Sequence, residues 1–400
     1  MTTTLPFSDN ISILGQSNSM GTQTLCNRLV IQPMEGCDGE ENGSPGELTK
    51  RRYERFAKGG AGLLWFEAVS VSQEAKGNKY QLYLSNDTLD SFSRLIADIK
   101  DKGENIPIIL QSTHSGRYSK PGSSFAPIIA QNIPMYEGES PLPPKCIISD
   151  DNLKHLEDEF VKAAKLAALA GFDGVDIKAC HGYLINELLG AHTRPGMYGG
   201  SFENRIRFLQ NVIDAVRSNV PSGFIVTTRM NIYDGIPHPY GFGTELNNSE
   251  TPDMSEPIAL LKKLKLDIVN ITMGNPYQPP HFNRPTETKY VERMYKYTRE
   301  IQQALPDLPV IASGPSFLRE KSANLAAGAV EQGYCSLVGY GRMCFAYPDF
   351  AKDILADGLE KSKVCVTCSK CSQLMRAGSS TGCVVRDDVY TKKYLEIFKK

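Results

Sequence analysis

The sequence predicts an α/β fold in which eight parallel strands close into a (β/α)8 TIM barrel, followed by a C-terminal four-cysteine tail. Short runs rich in β-branched residues alternate with longer stretches of helical periodicity, which is the pattern of βα units around a parallel sheet. One such helix is predicted over Leu153–Ala170, before the turn-forming Gly171. The eight predicted strands are Arg28–Gln32, Gly62–Glu67, Pro107–Gln111, Gly174–Lys178, Phe224–Arg229, Asp267–Thr272, Pro309–Ser313 and Tyr334–Gly339.

The sequence of the turn after the first strand favours this barrel over an open, doubly wound sheet. A dinucleotide-binding sheet of the Rossmann type carries GxGxxG after its first strand, and no such motif follows Arg28–Gln32. A length of 400 residues suits a barrel that runs past about 250 residues as one unit. We therefore expect a barrel over residues 1–360 and a separate tail over 361–400. The segment Ser112–Pro144, rich in Pro, Gly and Ser, is expected to be a lid or an ordered loop over the barrel mouth.

The composition is that of an ordinary globular chain with a large core. Hydrophobic residues make up 41% and charged residues 22% of the sequence, and the net charge of −1 gives no reason to expect nucleic acid or an anionic membrane as partner. The N-terminus lacks the basic and apolar regions of a secretory signal, and no apolar run reaches the ~20 residues that span a bilayer. We expect a cytoplasmic protein without a disulfide framework.

Polar residues follow most of the predicted strands at the carboxyl end, where barrel enzymes place their chemistry. The turns Ser313-Gly314 and Gly341-Arg342 predict a phosphate site, because exposed backbone N–H groups and a guanidinium suit a phosphate dianion. Each residue alone also fits an inert turn, a surface ion pair or a satisfied core histidine, but their joint occurrence at one face of one barrel favours a site. The other candidates are Glu35, Glu67, Ala68, Gln111, His114, Lys178, His181, Tyr183 and Arg229.

One long motif carries a family resemblance. The run His181–Leu189, HGYLINELL, with Arg194 and the stretch Tyr198–Phe208, YGGSFENRIRF, resembles the Old Yellow Enzyme (NADH:flavin oxidoreductase) family. Further matching stretches are Asn27–Met34, Gly60–Ala68 and Gln111–Arg117. Together they cover most of residues 20–350 in the family's order. With its cysteine tail, the chain is most similar to the iron–sulfur branch, the barrel part of 2,4-dienoyl-CoA and 2-enoate reductases.

The resemblance implies an FMN-dependent ene-reductase, which hydrogenates the C=C bond of an α,β-unsaturated carbonyl compound. NAD(P)H would reduce FMN, and flavin N5 would then deliver hydride to the β-carbon of an enone, a 2-enoate or an enoyl thioester. Tyr183 matches the family's proton donor and would protonate the α-carbon from the opposite face. A phenol suits this task because its unperturbed pKa of about 10 keeps it protonated at neutral pH.

The same resemblance implies a set of flavin contacts at the strand ends. Gln111 would hydrogen-bond the pyrimidine edge of the ring, and Arg229 would lie near N1 and O2, where a fixed cation stabilises the reduced, anionic flavin. Gly314 and the pair Gly341-Arg342 would hold the ribityl phosphate. The complete implied set is Pro33, Met34, Glu35, Ala68, Gln111, Arg229, Ser313, Gly314, Gly341 and Arg342.

Two positions depart from the family's pattern. The family usually has a His/His or His/Asn pair, three residues apart, that grips the substrate carbonyl, whereas this chain has Lys178 and His181. A lysine still donates to a developing enolate oxygen but is longer and less directional than imidazole, and we hypothesise that the two side chains bind the oxyanion jointly. Glu35 stands beside the flavin where the family often has Thr, Cys or His. It is ionised and lowers the flavin potential, or protonated, or turned toward a basic side chain.

The tail holds a compact set of four cysteines with the spacing CxxCxxC-x11-C. They are Cys365, Cys368, Cys371 and Cys383. Such spacing serves either a [4Fe–4S] cluster or a structural zinc, and the softness of thiolates does not separate the two. The iron–sulfur branch favours the cluster. The dinucleotide-binding region that follows the cluster in larger relatives is not found here, so NAD(P)H would reduce FMN directly, a separate electron-donor protein would feed the cluster, or the cluster would be mainly structural.

Two other classes of function stay open at this level. One is an FMN and iron–sulfur electron-transfer subunit of a larger complex, against which Tyr183 argues, because a relay needs no proton donor. The other is a lyase or isomerase in which the metal of the cysteine tail is structural and Lys178 forms a Schiff base with the substrate. For the reductase we expect a small-molecule substrate, extending to a bulky cyclic enone such as a flavonoid or steroid. Ser112–Pro144 and Tyr233–Gly243 are candidates to line a roomy pocket. A homo-oligomer is expected by analogy.

Overall fold

The computed structural model describes residues 4–122, 124–245, 251–278, 282–356 and 358–398. A closed barrel of eight parallel strands forms its centre, and all eight predicted strands are confirmed. An antiparallel hairpin that the sequence analysis missed precedes it, formed by β1 (Asn18–Met20) and β2 (Gln23–Leu25). The barrel strands are β3 (Leu29–Ile31), β4 (Leu63–Ser70), β5 (Ile108–Thr113), β6 (Gly174–Ile177), β7 (Ile225–Asn231), β8 (Val269–Thr272), β9 (Val310–Ala312) and β10 (Leu337–Tyr340).

Helices surround the barrel, and in the described ranges none is long and apolar enough to cross a membrane. The predicted helix over Leu153–Ala170 begins earlier, at Asp150, because the Ser149 hydroxyl accepts the backbone N–H of Asn152 at 3.1 Å and caps the first turn. The helices are α1 (Glu47–Ala57), α2 (Leu89–Lys102), α3 (Pro134–Glu137), α4 (Asp150–Leu169), α5 (Leu184–Leu189), α6 (Phe202–Asn219), α7 (Ser255–Lys263), α8 (Thr288–Ala304), α9 (Ser322–Glu331), α10 (Arg342–Ala346), α11 (Phe350–Leu355), α12 (Lys370–Arg376) and α13 (Asp388–Phe398).

The strands run around the barrel in chain order, and β10 pairs with β3 to close it. Side chains alternate between the interior and the helices, as in β4, where Leu63 and Trp65 belong to the interior cluster. The hairpin adds Met20 and Leu25 to that cluster, both fully buried. The interior is thus filled with apolar side chains near the beginnings of the strands, and polar side chains collect at their carboxyl ends.

The segment after β5 is an ordered loop in its described part, and two arginines hold it to the barrel. Arg117 pairs with Glu187 of α5 and with Glu137 of α3. Arg194, part of the family motif, donates to the carbonyl oxygens of Ala130 and Ile148, both at 2.7 Å. This motif arginine therefore fixes the loop and does not reach the strand ends.

The C-terminal tail packs against the barrel. The Asp387 carboxylate is 7% exposed and accepts hydrogen bonds from Arg51 at 2.8 and 3.2 Å and from Arg55 at 2.6 Å, both on α1. The backbone N–H of Thr381 donates to the carbonyl of Gly36, just beyond β3, at 2.7 Å. These contacts bring the tail to the rim of the barrel mouth.

Candidate active site at the carboxyl ends of the barrel strands

A cavity of about 1120 Å³, counting the space open to solvent, lies at the carboxyl ends of the strands. All thirteen residues predicted for catalysis and cofactor binding line it. They are Pro33, Met34, Glu35, Ala68, Gln111, Lys178, His181, Tyr183, Arg229, Ser313, Gly314, Gly341 and Arg342.

The rest of the lining differs from expectation. Neither Ser112–Pro144 nor Tyr233–Gly243 supplies a lining residue in the described ranges. The loop after β8 and the tail supply most of the remaining lining residues instead. Lining residues that the sequence analysis did not name include Pro276, Tyr277, Asn283, Arg284, Pro285, Ser372, Met375 and Thr381.

Asp176, on β6, is a fully buried carboxylate that links two predicted flavin contacts. Its Oδ2 accepts from Gln111 Nε2 and from Trp65 Nε1, both at 2.7 Å, and its Oδ1 accepts from the backbone N–H of Arg229 at 2.6 Å. Burial raises the pKa of Asp176 to about 6. These bonds fix the Gln111 amide and the end of β7 before any ligand arrives. Asp176 was not predicted from the sequence, because a single acidic residue inside an apolar strand forms no recognisable pattern.

Two buried nitrogen atoms at the cavity lack a hydrogen-bond partner among the residues that the structure describes. Arg229 is 7% exposed, and within the described ranges its Nε has no acceptor; burial lowers its pKa. His181 Nε2 is also buried without a partner there, and burial together with the charges of Arg229 and Lys178 lowers the pKa of His181 well below its usual value. Buried polar groups of this kind require a hydrogen-bonding partner, which a bound ligand rich in acceptors would supply.

The turn after β6 presents three candidate catalytic side chains. His181 and Gly182 have φ of +69° and +71°, a left-handed conformation that is costly for a non-glycine residue. Asn186 Oδ1 accepts the Gly182 N–H at 2.7 Å and holds the turn. Lys178 Nζ lies 3.6 Å from the centroid of the Tyr183 ring, within range of a cation–π contact.

Glu35 is coupled to Lys178 across the cavity. Burial raises the pKa of Glu35, which the positive charge of Lys178 and a 2.7 Å hydrogen bond from Asn78 Nδ2 oppose. Burial lowers the pKa of Lys178, and the charge of Glu35 is among the groups that oppose this. The Glu35 carboxyl forms its hydrogen bonds with Asn78 and Cys37, and among the described residues it makes no ion pair with a basic side chain.

The Tyr183 hydroxyl lies 3.2 Å from that of Tyr277, on the loop after β8. Burial, followed by the neighbouring Tyr277 and the charge of Glu35, raises the pKa of Tyr183 well above its usual value. Tyr118 of the ordered loop stacks on Tyr277, with ring centroids 4.0 Å apart. Tyr183 is therefore a neutral phenol aligned by a second phenol.

Three arginines gather where the sequence predicts a phosphate site. Arg342 and Arg284 line the cavity, and Arg376 reaches it from α12, donating to the Pro276 carbonyl at 3.2 Å. Burial and then the charges of Arg376 and Arg342 lower the pKa of Arg284. No acidic ion-pair partner of these three lies within the described part of the chain. Their unbalanced charge suits a phosphate dianion, which neighbouring Gly314, with φ of +91°, leaves room to approach.

The tail cysteines lie on one side of this cavity. Cys371 lines it, and the other three cysteines are close enough to affect its charge. Burial raises the pKa of Cys371 to about 11. In the part of the chain that the structure describes, no group of three or more His, Cys, Asp or Glu side chains is placed to hold a metal ion. The thiols are thus gathered but not in a metal-binding geometry.

The barrel mouth thus combines arginines with a buried amide, a lysine and a phenol. The family model of the NADH:flavin oxidoreductase / NADH oxidase family matches residues 18–361, and the chain belongs to this family. It is an enzyme of the NAD(P)H-dependent flavin oxidoreductase type. Arg229 Nε, which lacks a partner among the described residues, and the arginine cluster fit FMN.

Individual relatives agree with this assignment. The NADH-dependent flavin oxidoreductase iliE of Hypocrea jecorina is 29% identical over 361 residues, which cover 83% of this chain and 86% of the relative. The metal reductase of Desulforamulus reducens is 28% identical and matches 90% of this chain, which spans about half (51%) of that protein. The solved 2-naphthoyl-CoA reductase in complex with 2-naphthoyl-CoA has a TM-score of 0.81 at 20% identity, over 96% of this chain and 58% of that one, a likeness of fold.

Proposed function

We propose that the chain is an FMN-dependent ene-reductase of α,β-unsaturated carbonyl compounds, such as enones, 2-enoates, enoyl thioesters or bulky cyclic enones. The observation that carries this proposal is the turn after β6, which directs Lys178, His181 and the Tyr183 phenol into the cavity that the flavin contacts line. A reductase of C=C bonds needs an oxyanion site and an acid at the same mouth. When bound, FMN supplies the hydride to the substrate.

Residues of the strand ends would hold FMN. Gln111, oriented by Asp176, and Arg229 would bind the pyrimidine edge of the ring. Arg342 and Arg284 would bind the phosphate, beside the Gly314 turn. A fixed cation near the pyrimidine edge favours the reduced, anionic ring, because it stabilises the charge without reorganisation.

Lys178 and His181 would bind the substrate carbonyl oxygen. His181 Nε2 is buried without a partner in the described ranges, and Lys178 lines the same cavity. Burial lowers the pKa of Lys178, and the charge of the nearby Glu35 opposes this. A positive charge on Lys178 would stabilise the negative charge that develops on this oxygen.

Tyr183 would then protonate the α-carbon. Its raised pKa keeps the phenol neutral until a strong base, the developing enolate, is beside it. The low exposure of Tyr183, 3%, keeps bulk water from competing for this proton transfer.

We also propose that the four tail cysteines bind a [4Fe–4S] cluster, with zinc as the alternative, after a local rearrangement that brings the thiols together. No step of the reduction is assigned to the cluster. Electrons would come from NAD(P)H directly or from a separate electron-donor protein. Stopped-flow bleaching of the flavin by NADH and by NADPH under anaerobic conditions separates these sources, because direct reduction needs no partner.

The anaerobic absorbance spectrum with iron, sulfide and zinc analysis tests the proposal as a whole. We expect stoichiometric FMN, released by denaturation, together with iron and sulfide. Borohydride trapping of a carbonyl substrate on Lys178 in a protein without flavin would instead indicate a Schiff-base enzyme. A holoprotein whose reduced flavin passes electrons only to another protein, and never to an enone, would indicate an electron-transfer subunit.

A further inference from the structure

The loop after β8 fixes the Tyr277 hydroxyl beside the Tyr183 hydroxyl. Asn275 Oδ1 accepts the backbone N–H of Tyr277 at 2.8 Å, and its Nδ2 donates to the Tyr118 hydroxyl, also at 2.8 Å. Tyr118 in turn stacks on the Tyr277 ring at an interplanar angle of 30°. The tail adds a hydrogen bond from Arg376 to the carbonyl of Pro276, next in the chain. Tyr277 is thus held from three sides.

Tyr183 has no other route to a proton in the described part of the chain. Its hydroxyl bonds only to Tyr277, at 3.2 Å. Lys178 Nζ lies over the face of the ring, 3.6 Å from the centroid, and not at the hydroxyl. Tyr183 is 3% exposed, whereas Tyr277 is half-buried. A Tyr183 phenolate left after turnover would be high in energy, because burial and the charge of Glu35 both disfavour it.

We propose that Tyr277 returns a proton to Tyr183 after each turnover, so that the two phenols form a relay from the cavity mouth to the substrate. This inference rests on the proposed ene-reductase function. The O–H bond of Tyr183 breaks as the C–H bond at the α-carbon forms, and the proton of Tyr277 then moves to Tyr183. Water at the mouth reprotonates Tyr277. No electrons move in these steps, because the electron pair arrives with the hydride at the β-carbon.

Tyr277→Phe separates the first turnover from those that follow. With enzyme reduced beforehand and 2-cyclohexenone as probe, the single-turnover rate of flavin reoxidation should stay within about twofold of wild type, because Tyr183 still carries its proton. Steady-state turnover should fall at least ~10-fold, since Tyr183 must be reprotonated before each further turnover. Tyr183→Phe should slow the single turnover itself. Equal slowing of both phases by Tyr277→Phe, or of neither, would overturn the relay.

Tyr136→Phe is the matched control for loosening of the loop. The Tyr136 hydroxyl accepts from the same Asn275 amide, at 2.9 Å, but has no contact with Tyr183 in the structure. We expect it to leave both phases unchanged. If it reproduced the Tyr277→Phe kinetics, Tyr277 would act through loop position alone and the relay would be wrong.

A spectroscopic readout tests the contact without any turnover. With 3-fluorotyrosine at Tyr183, the ¹⁹F resonance of the holoprotein should shift on Tyr277→Phe and not on Tyr136→Phe. An unchanged resonance would overturn the relay whatever the enzyme does with enones. A wild-type protein that shows the ¹⁹F shift but reduces no enone would instead refute the proposed function, and with it the relay's role in that reaction.

Discussion

The Lys178 ammonium nitrogen lies 3.6 Å from the centroid of the Tyr183 ring. The Lys178 side chain thus contacts the proposed proton donor and also lines the cavity where the substrate carbonyl would bind. The family usually has a histidine at this position, whose imidazole is shorter and more directional than the lysine side chain. In the proposed reaction, the pair would couple stabilisation of the enolate oxygen to protonation of its α-carbon.

Lys178→Met tests this coupling. We expect kcat/KM for 2-cyclohexenone to fall roughly 10-fold or more, because one donor and one charge at the oxyanion are lost. Lys165→Met, on the exposed face of α4, is the control and should leave kcat/KM unchanged. Unaltered turnover and substrate affinity in Lys178→Met would refute the oxyanion role.

The arginine cluster predicts the determinants of FMN affinity. Arg284→Gln and Arg342→Gln should each raise the FMN dissociation constant of the apoprotein about 10- to 100-fold, because a charge-assisted hydrogen bond contributes about 1.5–3 kcal/mol. Arg94→Gln, on the exposed surface of α2, serves as control. Fluorescence titration with FMN measures all three. Wild-type affinity in Arg284→Gln would place the phosphate away from the loop after β8.

His114 predicts acid sensitivity at the end of β5. Burial lowers its pKa to about 4, and its Nδ1 accepts the backbone N–H of Gly116 at 3.0 Å. The unfolded chain binds this proton more tightly, with a pKa of about 6.5. The contribution of neutral His114 to the free energy of unfolding is therefore fully present above about pH 6.5. The free energy of unfolding falls by about 3 kcal/mol as the pH drops to 4.

His114→Asn keeps an acceptor near Gly116 but does not titrate. Urea unfolding at pH 7 and pH 4 should show wild type losing about 3 kcal/mol more than the variant over this interval. The same loss in both proteins would mean that His114 is not the buried neutral group that the structure shows.

The contact between Asp387 and α1 predicts that the tail supports the cofactor site. Asp387→Asn removes a nearly buried charge from Arg51 and Arg55, so the tail should become cleavable by trypsin. FMN should also bind more weakly, because Cys371 and Thr381 line the cavity. The control is Asp388→Asn, its exposed neighbour. Wild-type FMN affinity alongside a cleavable tail would show that the tail does not shape the site.

The sequence predicted the barrel because its strands are buried on both faces and read as short apolar runs. Lys178, His181 and Tyr183 could be predicted as site residues for the same reason, since they directly follow such a run. Tyr277 and Arg284 lie on a loop without periodicity, and the contact of Tyr277 with Tyr183 spans 94 residues, which no local pattern reveals. The hairpin was missed because its strands have three residues each, too few to show alternation.

Ene-reductase activity is measured most directly by anaerobic mixing of the protein, with its FMN reduced, with 2-cyclohexenone, followed by flavin absorbance and product analysis. If the chain is an ene-reductase, the flavin should return to its oxidised spectrum with one cyclohexanone formed per FMN, and Tyr183→Phe should slow this at least ~100-fold. Flavin that stays reduced in the presence of this and other enones, 2-enoates and enoyl thioesters would contradict it.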